Sequence, residues 1–317
     1  MYKPTYTWPN PAFPFREYYT GDNCRIFIIE NIQHNWNWLS KYHKKIRDTD
    51  IFFVYCGWYH NEFFAKQAEE IFCELGLRKD NFFIMFNSPL EMANFERFDF
   101  KGDVINHNAW LDENSVMQVK DDVEKKYDAI YIARLSEFKR HFLASKVPNL
   151  ALVAGINHGN PVAENLPEYI YKNEVQLSPS EVCQKINEAR CGLLLSASEG
   201  ACFSSSEYLL CGIPVVSTKS TGGRDVWYDD YNSIICEPDE DAVREGVEFF
   251  IKNPRDPYKI RNQHISLAES YRNKFIEKVQ SFMDKHDEGV DSSQYFAKSY
   301  FHKLRKSYRP DFDKIFF

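Results

Sequence analysis

The sequence predicts an α/β protein made of two domains, each built around a parallel β-sheet. Short apolar runs typical of buried strands alternate along the chain with longer segments typical of helices, and this alternation favours parallel sheets. A charged stretch that is poor in large apolar side chains, residues 112–126, interrupts the alternation, and we interpret it as a linker. The length of 317 residues also favours two domains. We therefore predict a first domain over residues 1–112 and a second over residues 127–284.

The first domain is predicted to begin with an extended arm, residues 1–20, which is rich in proline and aromatic residues. Helices are expected over about residues 36–47 and 61–75, with Gly76 ending the second helix. Apolar and aromatic runs between these segments predict the strands, at residues 25–30, 51–56, 82–86 and 104–106.

The second domain repeats the alternation after the linker. Residues 241–284 look helical, with interruptions at Asn253-Pro254 and Asp256-Pro257. A basic and aromatic tail, residues 285–317, follows and is predicted to pack back on the first domain. The predicted strands lie at residues 129–133, 150–154, 169–171, 193–195, 213–216 and 233–236.

Charge and cysteine usage exclude several classes of partner. A net charge of −7 and a pI near 5.8 argue against non-specific nucleic-acid binding. No run of 18 apolar residues predicts a transmembrane segment, and the first residues lack the apolar centre of a signal peptide. The eight cysteines form no C-x-x-C pair and no spacing typical of zinc. We therefore expect free thiols in a reducing, cytoplasmic setting.

The most informative stretch is residues 196–217, SASEGACFSSSEYLLCGIPVVS, where a strand, a polar turn, a short helix and a strand are predicted. The turn places Glu199 at the carboxyl end of a strand, where open α/β sheets bind ligands. Glu207 falls about one turn into the helix. The amino terminus of this helix, near Phe203 and Ser204, offers backbone N–H groups and a partial positive charge, which suit a phosphate.

The two carboxylates suit hydroxyl groups, because an ionised carboxylate only accepts hydrogen bonds. Phosphate donors beside hydroxyl acceptors are typical of a nucleotide-sugar site. The alternative is that Glu199 and Glu207 only cap and solvate a helix, and the pair alone does not decide between the two interpretations.

Four segments of the second half resemble the GT-B glycosyltransferases of family 4. Residues 129–139, AIYIARLSEFK, resemble the strand with G-R-L-S-x-x-K, and residues 199–207, EGACFSSSE, give the E-x7-E motif. Residues 209–217, LLCGIPVVS, resemble the A-x-G-x-P-V-V element, and residues 221–237 resemble the glycine-pair stretch that ends in a strand and Glu-Pro. In the first half, only residues 104–106 are similar to the family's V-I-P-N-G-V-D element, without its proline and glycine. The resemblance implies two Rossmann-like domains facing across a cleft, with the donor bound by the second domain and the acceptor by the first.

The sequence also departs from the family pattern. The usual E-G-F-G becomes Glu199-Gly200-Ala201-Cys202, so a glycine's freedom at positive φ is lost and the loop over the diphosphate is expected to tighten. No glycine pair follows the first strand, where Asn31 and Gln33 stand instead. The first domain is shorter than usual, which leaves the acceptor side open. Small size and a composition rich in Phe, Tyr and Asn are similar to glycosyltransferases of large algal viruses, the chloroviruses.

The resemblance assigns roles to particular side chains. Arg134 and Lys139 match the pair that meets the donor diphosphate, where Arg forms a fork and Lys a point charge. Glu199 matches the glutamate near the transferred sugar, and Glu207 the one that accepts hydrogen bonds from the ribose. The predicted catalytic residues are thus Glu199, Arg134 and Lys139. The remaining donor-binding residues are predicted to be Tyr171 at the base edge and Cys202, Phe203 and Ser204 at the diphosphate.

Other candidate residues carry weaker signals. His60 and His107 follow predicted strands of the first domain and are the candidates for the acceptor side, although a lone histidine is more often structural. Two D-x-D strings, Asp48-Thr49-Asp50 and Asp311-Phe312-Asp313, do not follow a strand as a metal-binding pair would, and we interpret both as solvated. Arg140 is also expected to be solvated. No metal or other cofactor is predicted.

The predicted activity is glycosyl transfer from a nucleotide-sugar to a glycan or other hydroxyl acceptor, with retention of configuration and without a metal. GDP-mannose is favoured as the donor from the viral resemblance, and a UDP-sugar is the alternative. A non-catalytic relative that binds a nucleotide-sugar or glycan is the second hypothesis. A nicotinamide-dependent oxidoreductase is excluded, because no G-x-G-x-x-G follows a predicted strand.

Overall fold

The computed structural model describes residues 15–32, 36–155, 166–299 and 302–304. The chain forms two compact units, the first made of residues 1–111 with 269–317 and the second of residues 112–268. The sequence placed the end of the second domain at residue 284, whereas the second unit ends at residue 268. Residues after 268 join the first unit through polar contacts such as that of Arg272, which donates hydrogen bonds to the carbonyls of Ala109 and Leu111 at 2.7 and 2.8 Å.

The described part of the first unit has a sheet in the order β1-β2-β3-β4-β5. Strands β2 to β5 are parallel, and β1 pairs antiparallel with β2. The predicted arm is therefore wrong for residues 15–20, which form this edge strand, while residues 1–14 lie outside the described residues. The strands are β1 (Phe15–Thr20), β2 (Arg25–Glu30), β3 (Asp50–Tyr55), β4 (Phe82–Phe86) and β5 (Gly102–Val104).

Helices cover both faces of this sheet. On one face, α1 (Trp36–Tyr42), α2 (Glu62–Leu75) and α3 (Pro89–Glu96) bury an apolar core that includes Phe52, Phe72 and Phe95. Asn61 caps the amino terminus of α2, and Gly76 ends it in the left-handed conformation. The sequence analysis did not predict α3, which Pro89 starts after the capping residue Ser88.

On the opposite face, Phe275 packs edge to face against Phe53, Tyr18 and Trp110, with ring centroids 4.9 to 5.3 Å apart. Phe275 lies on α7 (Pro257–Lys285), and α8 (Ser292–Ser299) follows. Tyr295 of α8 donates a hydrogen bond to the carbonyl of Tyr18 at 2.8 Å. The tail beyond residue 304 lies outside the described residues.

The second unit contains a parallel sheet in the order β13-β11-β9-β6-β7-β8, as well as a two-stranded ladder of β10 and β12. Both units therefore confirm the predicted α/β fold with parallel sheets. The segment predicted to be a linker, residues 112–126, contains no helix or strand in this part of the described chain. The strands are β6 (Tyr127–Ile132), β7 (Leu150–Val153), β8 (Tyr171–Lys172), β9 (Ala189–Leu194), β10 (Ser198–Glu199), β11 (Val215–Thr218), β12 (Thr221–Gly222) and β13 (Ser233–Cys236).

In the described residues of the second unit, three α-helices are present in addition to the start of α7. They are α4 (Pro179–Asn187), α5 (Phe203–Leu210) and α6 (Glu240–Lys252). Helix α5 is held close to the sheet by Tyr208, whose ring lies over Gly192 of β9. A Cβ atom at Gly192 would lie 2.3 Å from the ring of Tyr208, so this contact requires glycine. The hydroxyl of Tyr208 also accepts a hydrogen bond from the backbone N–H of Ile132 at 2.7 Å.

Candidate functional site

Three neighbouring strands of the second unit end at one edge of the sheet. Strands β6, β9 and β11 are adjacent and parallel, so the loops that follow them meet at their carboxyl ends. The loop after β6 carries Arg134 and Lys139, and the loop after β9 carries Ser196 and Glu199. The segment after β11 carries Arg224. This edge therefore gathers charged side chains from segments that are 25 to 90 residues apart in the sequence.

The centre of this edge is an ion pair between Lys139 and Glu199. The two side chains are only 11% and 7% exposed. The hydroxyl of Ser196 donates a second hydrogen bond, at 2.6 Å, to the same oxygen, Oε1, that Lys139 contacts. A buried pair of this kind becomes costly when one partner is removed, because the other charge then remains buried without compensation.

Arg134 lies beside this pair. Its guanidinium carbon is 5.2 Å from the ring centroid of Phe138, and the ammonium of Lys139 is 4.8 Å from the same centroid. The ring of Phe138 is 43% exposed. The two cations predicted to meet a diphosphate are thus brought together on one aromatic ring at the surface of the edge.

Helix α5 begins at Phe203 next to these residues. The first turn of a helix directs N–H groups and the positive end of its dipole outward. The hydroxyl of Ser204 donates to the carbonyl of Ile132 at 3.1 Å, so its side chain fixes the helix to β6. Its one hydroxyl proton is thus used within the protein, so a hydrogen bond donated by Ser204 to a phosphate would come from its backbone N–H. Glu207, one turn into α5, is half-buried.

Cys202 precedes α5 with φ of 57° and ψ of 88°. The chain thus keeps a positive φ at the position where the family that the sequence resembles has glycine. A non-glycine residue with a positive φ costs roughly 1–3 kcal/mol. Burial raises the pKa of the Cys202 thiol to about 11, so the side chain is neutral at physiological pH. The positive φ at Cys202 does not test whether the loop is tighter, so that expectation stays a prediction.

Tyr171 has a different environment from the other predicted donor residues. It lies on the edge strand β8, its ring centroid is 5.8 Å from that of Tyr127, and the ammonium of Lys185 lies 4.2 Å from its centroid. Tyr127 is the first residue of β6, at the end of the strand opposite the charged edge. Tyr171 therefore contacts Tyr127 and Lys185.

The two residues that follow Lys139 are Arg140 and His141, and both are packed into this edge. Arg140 was expected to be solvated, and this is wrong: its guanidinium donates to the carbonyl of Leu195 at 2.5 Å and to the hydroxyl of Thr218 at 2.7 Å. Arg140 therefore connects the ends of β9 and β11. His141 is 1% exposed, and burial followed by the charge of Lys139 lowers its pKa to about 4.

Arg224 is a site residue that the sequence analysis missed. It is completely buried, yet its guanidinium donates to Asp225 at 2.8 Å and to the carbonyl of Ser196 at 2.9 Å, and it also contacts the carbonyl of Thr218. In the sequence it is one arginine after a glycine pair, and nothing local distinguishes it from a surface cation.

The first unit also gathers polar residues at the carboxyl edge of its sheet. His60 and His107 are both buried there, 2% and 4% exposed. The backbone N–H of His60 donates to Glu91 at 3.0 Å, and the ring of His107 lies 4.2 Å from that of Tyr55. Burial raises the pKa of Glu91 to about 7 against the opposing effect of its backbone donors.

The D-x-D interpretation is wrong for one residue. Asp50 is not solvated but fully buried, and it forms a two-point ion pair with Arg25, with N–O distances of 2.8 and 2.7 Å. Asp48 is exposed and pairs with Arg78 at the surface. The second string, residues 311–313, lies outside the described residues.

In the described parts of the chain, no three His, Cys, Asp or Glu side chains are grouped so that they could hold a metal ion. None of the described helices has both the length and the apolar character needed to cross a membrane.

Comparison with known proteins adds a partial sequence match and several structural matches. Residues 165–268, about a third of the chain, match the family model described as glycosyl transferases group 1. This range contains Glu199 and Glu207, whereas Arg134 and Lys139 lie outside it. No curated protein matches the chain by sequence.

Three solved structures illustrate the structural similarity. A trehalose-6-phosphate synthase has a TM-score of 0.56 at 13% identity, covering 82% of this chain and 74% of its own. Sucrose-phosphate synthase from Thermosynechococcus elongatus has a TM-score of 0.50 at 15% identity, covering 86% and 74%. A glycosyltransferase from Rickettsia africae has a TM-score of 0.50 at 14% identity, covering 80% and 81%. The α/β fold thus has GT-B glycosyltransferases as its structural neighbours.

Proposed function

We propose that the protein is a glycosyltransferase that moves a sugar from a nucleotide-sugar to a hydroxyl acceptor with retention of configuration. The observation that carries this proposal is the Lys139–Glu199 pair beside the amino terminus of α5. Cations and helix N–H groups suit the diphosphate, and a carboxylate beside them suits the sugar hydroxyls. The match of residues 165–268 to group 1 glycosyl transferases agrees with this chemistry.

In the proposed reaction, the bond between the anomeric carbon and the diphosphate oxygen breaks, and the acceptor oxygen bonds to that carbon. Arg134, Lys139 and the α5 amino terminus stabilise the negative charge on the leaving diphosphate. Glu199 stabilises the positive charge that develops on the sugar ring. The proton of the acceptor hydroxyl goes to the leaving phosphate on the same face, which gives retention without a protein nucleophile. The trehalose-6-phosphate synthase whose structure is similar is described as an enzyme of glycosyl transfer with retention.

Donor identity is the least constrained part of the proposal. Glu207 is proposed to accept hydrogen bonds from the ribose, which every nucleotide-sugar of this kind contains. We favour GDP-mannose, from the similarity in size and composition to glycosyltransferases of large algal viruses, with a UDP-sugar as the alternative. A thermal-shift screen of nucleoside diphosphates and nucleotide-sugars would decide, because at equal concentration the ligand that binds more tightly stabilises the folded state more.

The decisive experiment compares Glu199→Gln with Glu207→Gln, measuring nucleotide release with candidate acceptors and nucleotide affinity by calorimetry. Glu199→Gln should lower kcat roughly tenfold or more while leaving affinity for the free nucleotide nearly unchanged, because its interaction strengthens in the transition state. Glu207→Gln should mainly weaken donor and nucleotide binding, because the ribose does not react.

Two outcomes would contradict the proposal. If Glu199→Gln releases nucleotide as fast as the parent protein, the catalytic role of Glu199 fails. If the parent turns over no donor with any acceptor or with water but still binds nucleotide-sugar, the non-catalytic binder takes its place, and the strained loop at Cys202 is the feature that favours it.

Metal independence is part of the proposal and is tested separately. Donor binding should persist in EDTA, because Arg134, Lys139 and the helix terminus supply the positive charge that a cation would otherwise provide. Loss of binding in the chelator that manganese or magnesium restores would overturn this part.

A further inference from the structure

The buried arginine at the charged edge contacts the candidate catalytic glutamate through one serine. One nitrogen of Arg224, Nη1, lies 3.3 Å from the hydroxyl oxygen of Ser196, and that hydroxyl lies 2.6 Å from Oε1 of Glu199. Arg224 is 0% exposed and Ser196 is 1% exposed, so neither side chain can contact a ligand that binds at the protein surface. Any effect of Arg224 on the reaction must therefore pass through the residues that it holds.

The direction of both hydrogen bonds is fixed by chemistry. A guanidinium has only donors, so the hydroxyl of Ser196 accepts from Arg224. An ionised carboxylate only accepts, so the single proton of Ser196 points to Glu199. A serine hydroxyl that could otherwise rotate is thus locked in one orientation by the charges on either side.

The same arrangement distinguishes the two oxygens of Glu199. Lys139 and Ser196 both donate to Oε1, and no described residue donates to Oε2. The backbone around Ser196 is fixed as well, because Arg224 also binds the carbonyl of Ser196, at 2.9 Å, and that of Leu194, at 3.3 Å. One oxygen of Glu199 is held by the protein, and the other remains for a ligand.

We propose that Arg224 is a positioning residue that acts through Ser196 to hold Glu199 with Oε2 directed to the donor sugar. This inference rests on the proposed glycosyl transfer and adds a role for two buried residues that do not touch the substrate. Arg224 and Ser196 contribute to turnover because they keep the carboxylate of Glu199 preorganised.

The test begins with Ser196→Ala, which removes one hydroxyl. We expect kcat to fall roughly tenfold, the effect of one hydrogen bond to a charged group, while affinity for the nucleoside diphosphate stays within about twofold. The matched control is Ser217→Ala, a completely buried serine whose hydroxyl donates to the carbonyl of Leu194 at 3.1 Å. Its kcat should stay within about twofold of the parent value.

A double-mutant cycle separates positioning from general stability. Arg224→Lys should also lower kcat roughly tenfold, and Ser196→Ala with Arg224→Lys should lose about as much as the larger single change, because both act along one path. If Arg224→Lys does not fold, the comparison of Ser196→Ala with Ser217→Ala decides alone.

The outcomes distinguish this inference from the proposed function. If the parent protein is active, three results overturn the positioning role alone. They are an unchanged kcat in Ser196→Ala, a fall in kcat in Ser217→Ala equal to that in Ser196→Ala, and a fall in kcat in the double variant equal to the product of the two single effects. A parent protein that transfers no sugar overturns the proposed function and this inference together.

Discussion

The carboxyl edges of the two parallel sheets differ in their chemistry although their strands follow the same pattern. The edge in the second unit carries Lys139, Glu199 and Arg224, whose side chains pair with one another or with carbonyl groups. The edge in the first unit carries mostly amides and histidine, and Glu91, a fully buried carboxyl there, has a pKa raised to about 7 by burial. The comparison teaches that the same topology produces both edges, whereas the side chains that it places there decide how much charge each edge carries.

In the first unit, the polar groups at the edge bind one another. Asn87 donates to the carbonyl of Cys56 at 2.5 Å and accepts from the backbone of His107 at 2.9 Å. Its backbone N–H donates to Glu91 at 2.6 Å, and Asn106 donates to its carbonyl at 3.0 Å. These amides thus bind mainly to one another and to backbone groups, whereas the second edge is built around ion pairs and a buried arginine.

The largest expected effect is that acid destabilises one unit and stabilises the other. His141 has a pKa of about 4 instead of 6.5, so its contribution to stability is present above pH 6.5 and is lost as the pH falls towards 4. Glu91 has a pKa of about 7 instead of 4.5, so its contribution is present below pH 4.5 and is lost as the pH rises through 7. Each contribution amounts to about 3 kcal/mol over its full range.

The measurement is urea unfolding between pH 4 and 7, with hydrogen exchange reporting each unit separately. His141→Phe should reduce the loss of stability of the second unit in acid, and Glu91→Gln should reduce the loss in the first unit towards neutral pH. For each variant, the stability of the unit that does not carry the substitution serves as the control. If both variants change the pH slope in the same direction, the contrast between the two edges is wrong.

The next effect concerns the diphosphate. Lys139→Ala should weaken binding of a nucleoside diphosphate by about 1.5–3 kcal/mol, the usual contribution of a charged hydrogen bond, and Arg134→Ala should act in the same direction. The free nucleoside should bind almost as before, because it lacks the phosphates. Lys146→Ala is the matched control, since Lys146 pairs at the surface of the same unit with Asp241.

Calorimetry of nucleoside and nucleoside diphosphate with each variant gives the answer. Equal losses for both ligands would show that Lys139 supports the fold of the edge and not the phosphates.

The smallest expected effect is in the loop before α5. Cys202→Gly should stabilise the second unit by about 0.5–1 kcal/mol in urea unfolding, because relief of the positive φ exceeds the entropy that glycine loses on folding. Ala201→Gly is the control at a neighbouring residue without a positive φ, and it should destabilise by a similar amount. A loss of stability in Cys202→Gly would mean that packing of the thiol outweighs the strain.

Apart from β1, the sequence predicted the strands of both sheets to within a few residues, because most of them are short apolar runs with clear ends. It also predicted the loop with Glu199 and the helix with Glu207, because both depend on local spacing. It could not predict that Arg224 and Asp50 are buried, because burial of a charge depends on partners brought close only by the fold, such as Ser196 and Arg25. The strand β1 was missed for a similar reason: its pairing with β2, not its own composition, makes it a strand.

The placement of Phe275 has a consequence for the order in which the chain folds as it is synthesised. Phe275 covers the face of the first sheet at Phe53 and Tyr18, but the ribosome adds it after the whole of residues 112–268. The second unit can therefore fold while the first sheet still exposes one apolar face, since domains generally fold as units during translation. A nascent chain arrested at residue 268 should bind chaperones through the first unit, and residues 269–299 should release it.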